Sequence, residues 1–227
     1  MNRLNSKIKF TAESIAWSQG GITFFDVKAS AGSAILIDWG DGHTTKHLFQ
    51  NETEINFRHD YYPKHIIPPS GGEKFYVGIS GYADCSIIGF RLSPVDMSAF
   101  DLDITNCLEL EKLTYCWCAD HVNSCSLDLS RNTALKYIDC TENGLTSLNL
   151  SNNTALEKLL CSKNRLSHLS LANNFALKYF DCEFNEMKQL FIYYAPQLSE
   201  AAFEEGNNID EATKIQIREL IAENINE

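Results

Sequence analysis

The side chains best equipped for chemistry are thiol and imidazole, and half of them fall into two groups. Cys107, Cys116, Cys118 and Cys125 with His121 contain the spacing C-x-C-x-x-H-x-x-x-C, a donor set for zinc or a local disulfide. Against this, Cys107 and Cys118 stand where a repeat described below places asparagine. Asp38, Asp41, His43 and His47 form a second group that calcium or another metal would accept. Carboxylates in a tight turn also accept backbone N–H groups, and that reading suffices for both aspartates. His59, His65 and His168 have no serine or cysteine partner in an activated setting. No glycine-rich phosphate loop precedes a helix. No catalytic residue, cofactor or metal is therefore assigned, and an enzyme is not expected.

The elements that would hold these side chains are legible from a repeat. From Leu127 to about Asp210 the chain repeats every 21 residues: LKYIDCTENGLTSLNLSNNTA from Leu135, LEKLLCSKNRLSHLSLANNFA from Leu156, LKYFDCEFNEMKQLFIYYAPQ from Leu177. Each copy holds L-x-x-L-x-L/C-x-x-N twice, starting at Leu135, Leu145, Leu156, Leu166, Leu177, Met187 and Leu198. Apolar residues at i and i+2 face one side of an extended segment, so both half-repeats read as strand-like, one of them a parallel ladder. Such a unit buries its apolar side only when a neighbour stacks on it, which makes the repeat a solenoid. Cys140, Cys161 and Cys182 recur in register and are expected to point inward as small hydrophobes. Asn143, Asn153, Asn164, Asn174 and Asn185 are expected to satisfy turning backbone from inside, until Ala195 and Gly206 break the ladder.

Asn153-Thr154-Ala155-Leu156, Leu159, Cys161, Asn164 and Leu166 resemble the 21-residue bacterial leucine-rich repeats of nested ten/eleven periodicity (the IRREKO type) found in Bacteroides-type bacteria. The resemblance spans roughly residues 99–206. Earlier copies are degraded, fitting if Cys107 and Cys118 replace asparagine, and an insertion of about four residues interrupts the rhythm before Ser124.

The N-terminal residues show no repeat. GITFFDVKA from Gly21, AILIDWGDG from Ala34, TEINFRHDY from Thr53 and EKFYVGISG from Glu73 read as short strands of a β-sandwich. Trp39 to Gly42, His59-Asp60-Tyr61 and Tyr76-Val77-Gly78-Ile79 resemble the PKD-type immunoglobulin-like domain over roughly residues 18–82. The loop YPKHIIPPSGG departs from it, being longer and proline-rich. The expected fold is thus mainly β: an immunoglobulin-like sandwich over 1–84, a leucine-rich-repeat solenoid over 85–208, and a capping helix over 209–227. Asp210 would be its N-cap, and Ile215, Ile217, Leu220, Ile221 and Asn224 its inner stripe.

Residues between the buried anchors would face solvent. On the cysteine-bearing strands these are Tyr137, Asp139 and Thr141; Lys158, Leu160 and Ser162; Tyr179, Asp181 and Glu183; then Glu200 and Glu204. The other half-repeat offers small polar residues such as Ser147, Asn149, His168 and Ser170, as a solvated back would. Tyrosine supplies rigid amphipathic contact area. The expected partner surface is therefore Tyr137, Asp139, Lys158, Leu160, Tyr179, Asp181 and Glu183. A protein partner comes first, a glycan second and a structural spacer third. A column of aromatic and long side chains also stabilises a sheet without any ligand.

A formal net charge of −11 opposes binding to a phosphate backbone, so nucleic acid is not an expected partner. No apolar run is long enough to span a membrane. The first residues, MNRLNSKIKFTAESIAWS, lack the apolar core of a secretory signal. The leucine-rich-repeat resemblance implies a surface or secreted bacterial protein whose leader is absent from this chain; a cytoplasmic location is the alternative.

Overall fold

Alternation of buried and solvent-facing residues builds the N-terminal half. Phe25, Val27 and Ala29 are buried, as are Ile35 and Ile37, while their neighbours face outward. The computed structural model describes residues 5–14, 22–60, 74–81, 85–92, 97–116 and 127–226. His65, Cys118, His121 and Cys125 lie outside the described residues, as do Tyr61 and the loop after it.

In chain order the described strands are β1 (Asn5–Ser14), β2 (Ile22–Ala29), β3 (Ala34–Asp38), β4 (Thr44–Leu48), β5 (Thr53–Asp60), β6 (Lys74–Gly81), β7 (Ile87–Leu92) and β8 (Met97–Asp103). There follow β9 (Lys112–Tyr115), β10 (Tyr137–Asp139), β11 (Lys158–Leu160), β12 (His168–Ser170), β13 (Tyr179–Asp181), β14 (Gln189–Phe191) and β15 (Glu200–Ala202). One helix, α1 (Glu211–Asn226), ends the described chain.

The first sheet is antiparallel, with order β4-β3-β6-β1-β8. The second holds eight strands in the order β15-β13-β11-β10-β9-β7-β2-β5. Its β5, β2 and β7 are antiparallel, whereas β7, β9, β10, β11, β13 and β15 are parallel. Strand β7 therefore joins the two modes: Phe90 stands opposite Val27 on one edge and Leu113 on the other. The protein is mainly β, with antiparallel N-terminal sheets, a solenoid of about five turns and a single C-terminal helix. Its 21-residue turns are those of a leucine-rich-repeat-like coil. Phe25 centres the N-terminal core, its ring 5.4 Å from Trp39 and 5.9 Å from both Phe57 and Phe90. That core continues without a break into the solenoid and ends on Ile217.

All seven repeat starts from Leu135 to Leu198 are fully buried, and so are Cys140, Cys161 and Cys182. Cys116 joins the column. Its Sγ donates to Asp139 O at 3.6 Å, as Cys140 Sγ does to Leu160 O at 3.5 Å. Every described cysteine is buried, and Cys140, Cys161 and Cys182 are free thiols. Cys107 occupies an asparagine position, its carbonyl accepting from the Asn132 amide at 2.8 Å.

Two asparagine columns stitch the coils. In one, Asn164 Nδ2 donates to Cys140 O and Cys161 O at 3.0 Å, and its Oδ1 accepts from Asn143 N and Leu145 N. Asn143 and Asn185 repeat the donor pattern. Gly206 was expected to end this ladder, but Asn207 continues it one residue later, donating to Cys182 O at 2.9 Å. The shift has a backbone cause. Glu142, Lys163 and Phe184 have φ of 61°, 55° and 53° just before their asparagines, and Gly206, at 69°, takes that role in the longer last coil. The other column is Asn132, Asn153 and Asn174, each donating to carbonyls of the preceding coil.

The second half-repeat is extended but irregular. Only β12 and β14 pair, in parallel, among its described residues. Asp210 caps α1, accepting from Thr213 N at 2.9 Å. Ile217 is buried and Leu220 and Ile221 pack on the core, but Ile215 is 46 % exposed and lies outside the stripe expected for it.

Candidate functional site

Parallel strands without a stagger put equivalent residues side by side, so the outward positions of the second sheet form straight columns. One column runs Lys112, Tyr137, Lys158, Tyr179, Glu200 across β9, β10, β11, β13 and β15. The next runs Thr114, Asp139, Leu160, Asp181, Ala202.

Cations and rings alternate along the first column. Lys112 Nζ lies 5.5 Å from the Tyr137 ring centroid; Lys158 Nζ lies 6.0 Å from Tyr137 and 4.9 Å from Tyr179. Each exposed contact of this kind is worth about 0.5–1 kcal/mol, enough to hold Lys158 between the rings and too little to fix it there. Partial burial raises both tyrosine hydroxyls above their ordinary range, with Asp139 and Asp181 adding to the effect. The rings are therefore neutral donors over the physiological range.

Asp139 and Asp181 each commit one carboxylate oxygen to the turn ahead: Asp139 Oδ1 accepts from Thr141 N at 3.2 Å and Asp181 Oδ1 from Glu183 N at 3.0 Å. Leu160 stands between the two aspartates in register. The centre of the face is thus a half-buried leucine between two carboxylates, beside a stacked lysine and two tyrosines. Such a surface offers apolar contact, hydrogen-bond donors and fixed negative charge, but no nucleophile with a base.

The structure brings together all seven residues expected to meet a partner, with a difference in exposure. Lys158 is exposed, whereas Tyr137, Asp139, Leu160, Tyr179, Asp181 and Glu183 are half-buried by their column neighbours. Ser162, expected on the surface, is buried with 8 % exposure, because the turn folds it in against Asn164, whose amide bonds its carbonyl at 3.2 Å. Glu204 is engaged by Arg218 of α1 at 2.6 Å.

Sequence reasoning stopped the face at the repeat. In the structure it continues through Arg91, Asp26 and Lys28, since Thr114 stands opposite Arg91 and Arg91 opposite Asp26. Asp26 ties β2 to β5 by accepting from Asn56 Nδ2 at 2.7 Å. The outward Arg91 in Gly-Phe-Arg-Leu, flanked by buried Phe90 and Leu92, was the available signal. On the other side of the solenoid, Ser147, Asn149, Ser151, His168 and Ser170 line a shallow depression of about 350 Å³.

Of the hard-ligand group, Asp38 Oδ1 accepts from Gly40 N at 3.0 Å, and His47 packs edge-on against Phe49 and Phe57. Asp41 and His43 adjoin and meet His59, which the sequence left without a partner.

No protein-family model matches the chain, and no curated protein matches it. Among solved structures, the chain is similar to one described as the functional domain of InlJ from Listeria monocytogenes, which includes a cysteine ladder. The identity is 24 % and the TM-score 0.41, over 49 % of this chain and 29 % of that one. This chain thus spans less than a third of that structure's length. No described helix is long and apolar enough to cross a membrane.

Proposed function

We propose that the outward face of the eight-stranded sheet is a recognition surface for a protein partner, in a bacterial protein displayed on the cell or secreted from it. The carrying observation is the Lys112–Tyr137–Lys158–Tyr179 column beside a half-buried Leu160 between two carboxylates. An apolar centre with tyrosine anchors and a charged rim is how non-obligate protein interfaces are composed. On this reading residues 1–84 cap and space the solenoid, residues 85–208 carry the contact residues Tyr137, Asp139, Lys158, Leu160, Tyr179, Asp181 and Glu183, and residues 209–227 close its far end. The bacterial surface placement rests on the repeat resemblance alone, and no reaction is assigned.

The test replaces both rings, Tyr137→Ser with Tyr179→Ser, at solvent-facing positions whose removal leaves the buried ladder untouched. The unaltered chain is expected to capture a bacterial or host protein that the folded double variant does not. Equal capture by both would retire the face. A glycan array run in parallel separates the carbohydrate reading, and failure of both assays leaves the spacer.

A further inference from the structure

The turn after β3 holds a second cluster, away from the candidate face. Gly40 and Gly42 have φ of 82° and 92°, and a Cβ on Gly40 would lie 2.8 Å from Tyr76 N, so glycine is required for this chain path. The turn presents Asp41, whose Oδ1 accepts from His43 N at 3.0 Å and is thereby oriented. Its Oδ2 points at two imidazoles, 3.1 Å from His43 Nδ1 and 2.7 Å from His59 Nε2. The three donor atoms lie within 4.8 Å of one another.

His59 comes from β5, which belongs to the other sheet, so the cluster joins the two layers. Its ring is stacked on Trp39 at 4.8 Å and 16°, and Trp39 is itself held by Nε1 donating to Thr45 Oγ1 at 2.9 Å. Two of the three donors are therefore held in place by packing and hydrogen bonds. The third, His43, has 75 % side-chain exposure, which leaves the outward side open.

We propose that Asp41, His43 and His59 form a binding site for a divalent transition-metal ion of the zinc class. Two imidazole nitrogens and one carboxylate oxygen suit zinc, cobalt, nickel or copper, and are the wrong set for calcium or magnesium, which take oxygen ligands. The oriented carboxylate would bind through Oδ2 alone. Each imidazole would carry its proton on the nitrogen away from the ion, and the open side would be filled by water or an outside donor. The bound ion would pin the β3–β4 turn to β5 and stabilise the folded chain in proportion to its free concentration.

The test uses the full chain with any affinity tag removed, stripped with chelator and titrated by calorimetry at mildly alkaline pH, where imidazole is neutral. One zinc ion per chain is expected and calcium is expected not to bind. His43→Ala, at an exposed position that leaves the fold intact, should weaken zinc by at least about tenfold, the loss that removing even a supporting partner of a ligand produces. Asp41→Asn should do the same. Cobalt should give ligand-field bands without thiolate charge transfer. Absence of saturable zinc binding would overturn the site, as would binding unchanged in both variants. A thiolate band lost on cysteine substitution would place the ion elsewhere and equally reject it.

Discussion

Asn224, near the end of α1, donates its side-chain amide to the carbonyls of Ala195 and Leu198, each at 2.8 Å. In the coils before it, the carbonyls of Asn132 and Asn153 are met by the asparagine one turn later. Alanine at 195 forms part of the last coil's turn, and the element after that coil is α1 in place of another repeat. The helix brings back an asparagine from outside the repeat, so it closes the solenoid with hydrogen bonds as well as with Ile217.

Asn224→Ala should therefore cost about 1–3 kcal/mol, because two carbonyls lose their donors in a partly buried place. Urea denaturation checks it. The helical signal should fall at lower denaturant than the β signal if the end of the coil opens first.

Native thiols should be inert. Burial pushes the thiols of Cys116, Cys140, Cys161 and Cys182 far above their ordinary value, nearby carboxylates such as Asp139 and Asp181 adding to it. The thiolate is the reactive form, so alkylating reagents should modify none of the four in the folded chain. All four should react once denaturant is added, and peptide mapping by mass spectrometry would read this site by site.

The left-handed position before each ladder asparagine makes a paired prediction. Lys163 holds φ of 55°, which costs an L-residue about 1–2 kcal/mol, while glycine gives part of that back in chain entropy. Lys163→Gly should stabilise by about 0.5–1 kcal/mol net. Its ion pair with Glu142 at 3.8 Å is exposed and contributes little. Gly206→Ala should do the reverse, since the new Cβ would lie 2.6 Å from Phe184 Cα. Thermal denaturation of the two variants distinguishes these signs.

Acid should loosen α1. Asp210 is held below the ordinary carboxylate value, first by the Thr213 backbone N–H and then by the Thr213 hydroxyl. A depressed folded-state value means that the cap's contribution is fully present above the ordinary carboxylate range and disappears as pH falls through the folded value. Helical circular dichroism should drop in that window. Asp210→Asn keeps the cap and removes the titration, so its profile there should be flatter.

The parts visible in the chain were those with a local period. Cys140, Cys161 and Cys182 sit one repeat apart, and stacking is the packing that buries all three at once; the asparagines follow by the same logic. Contacts that break the period were hidden. His59 meets Asp41 across 18 residues and two sheets, a pairing set by tertiary packing and by no spacing rule. Asn224 belongs to the stripe expected from the sequence, but which carbonyls it meets depends on a docking angle no pattern records. Ser162 occupies a nominally outward slot, and only the course of the turn buries it. The repeat alone delimits a shorter surface than the sheet carries, because β7 reads as an ordinary strand and, apart from the outward Arg91, nothing in Ile87–Leu92 announces pairing on both edges.

That doubly paired strand has a mechanical result. Hydrogen bonds cross from β5 to β15 without an interruption at which one half could pivot against the other. One hydrogen-bonded sheet therefore runs from the antiparallel strands to the last coil. A partner lying along its length, as proposed, would forfeit no freedom between halves, and a tug at the antiparallel end would be carried to the last coil.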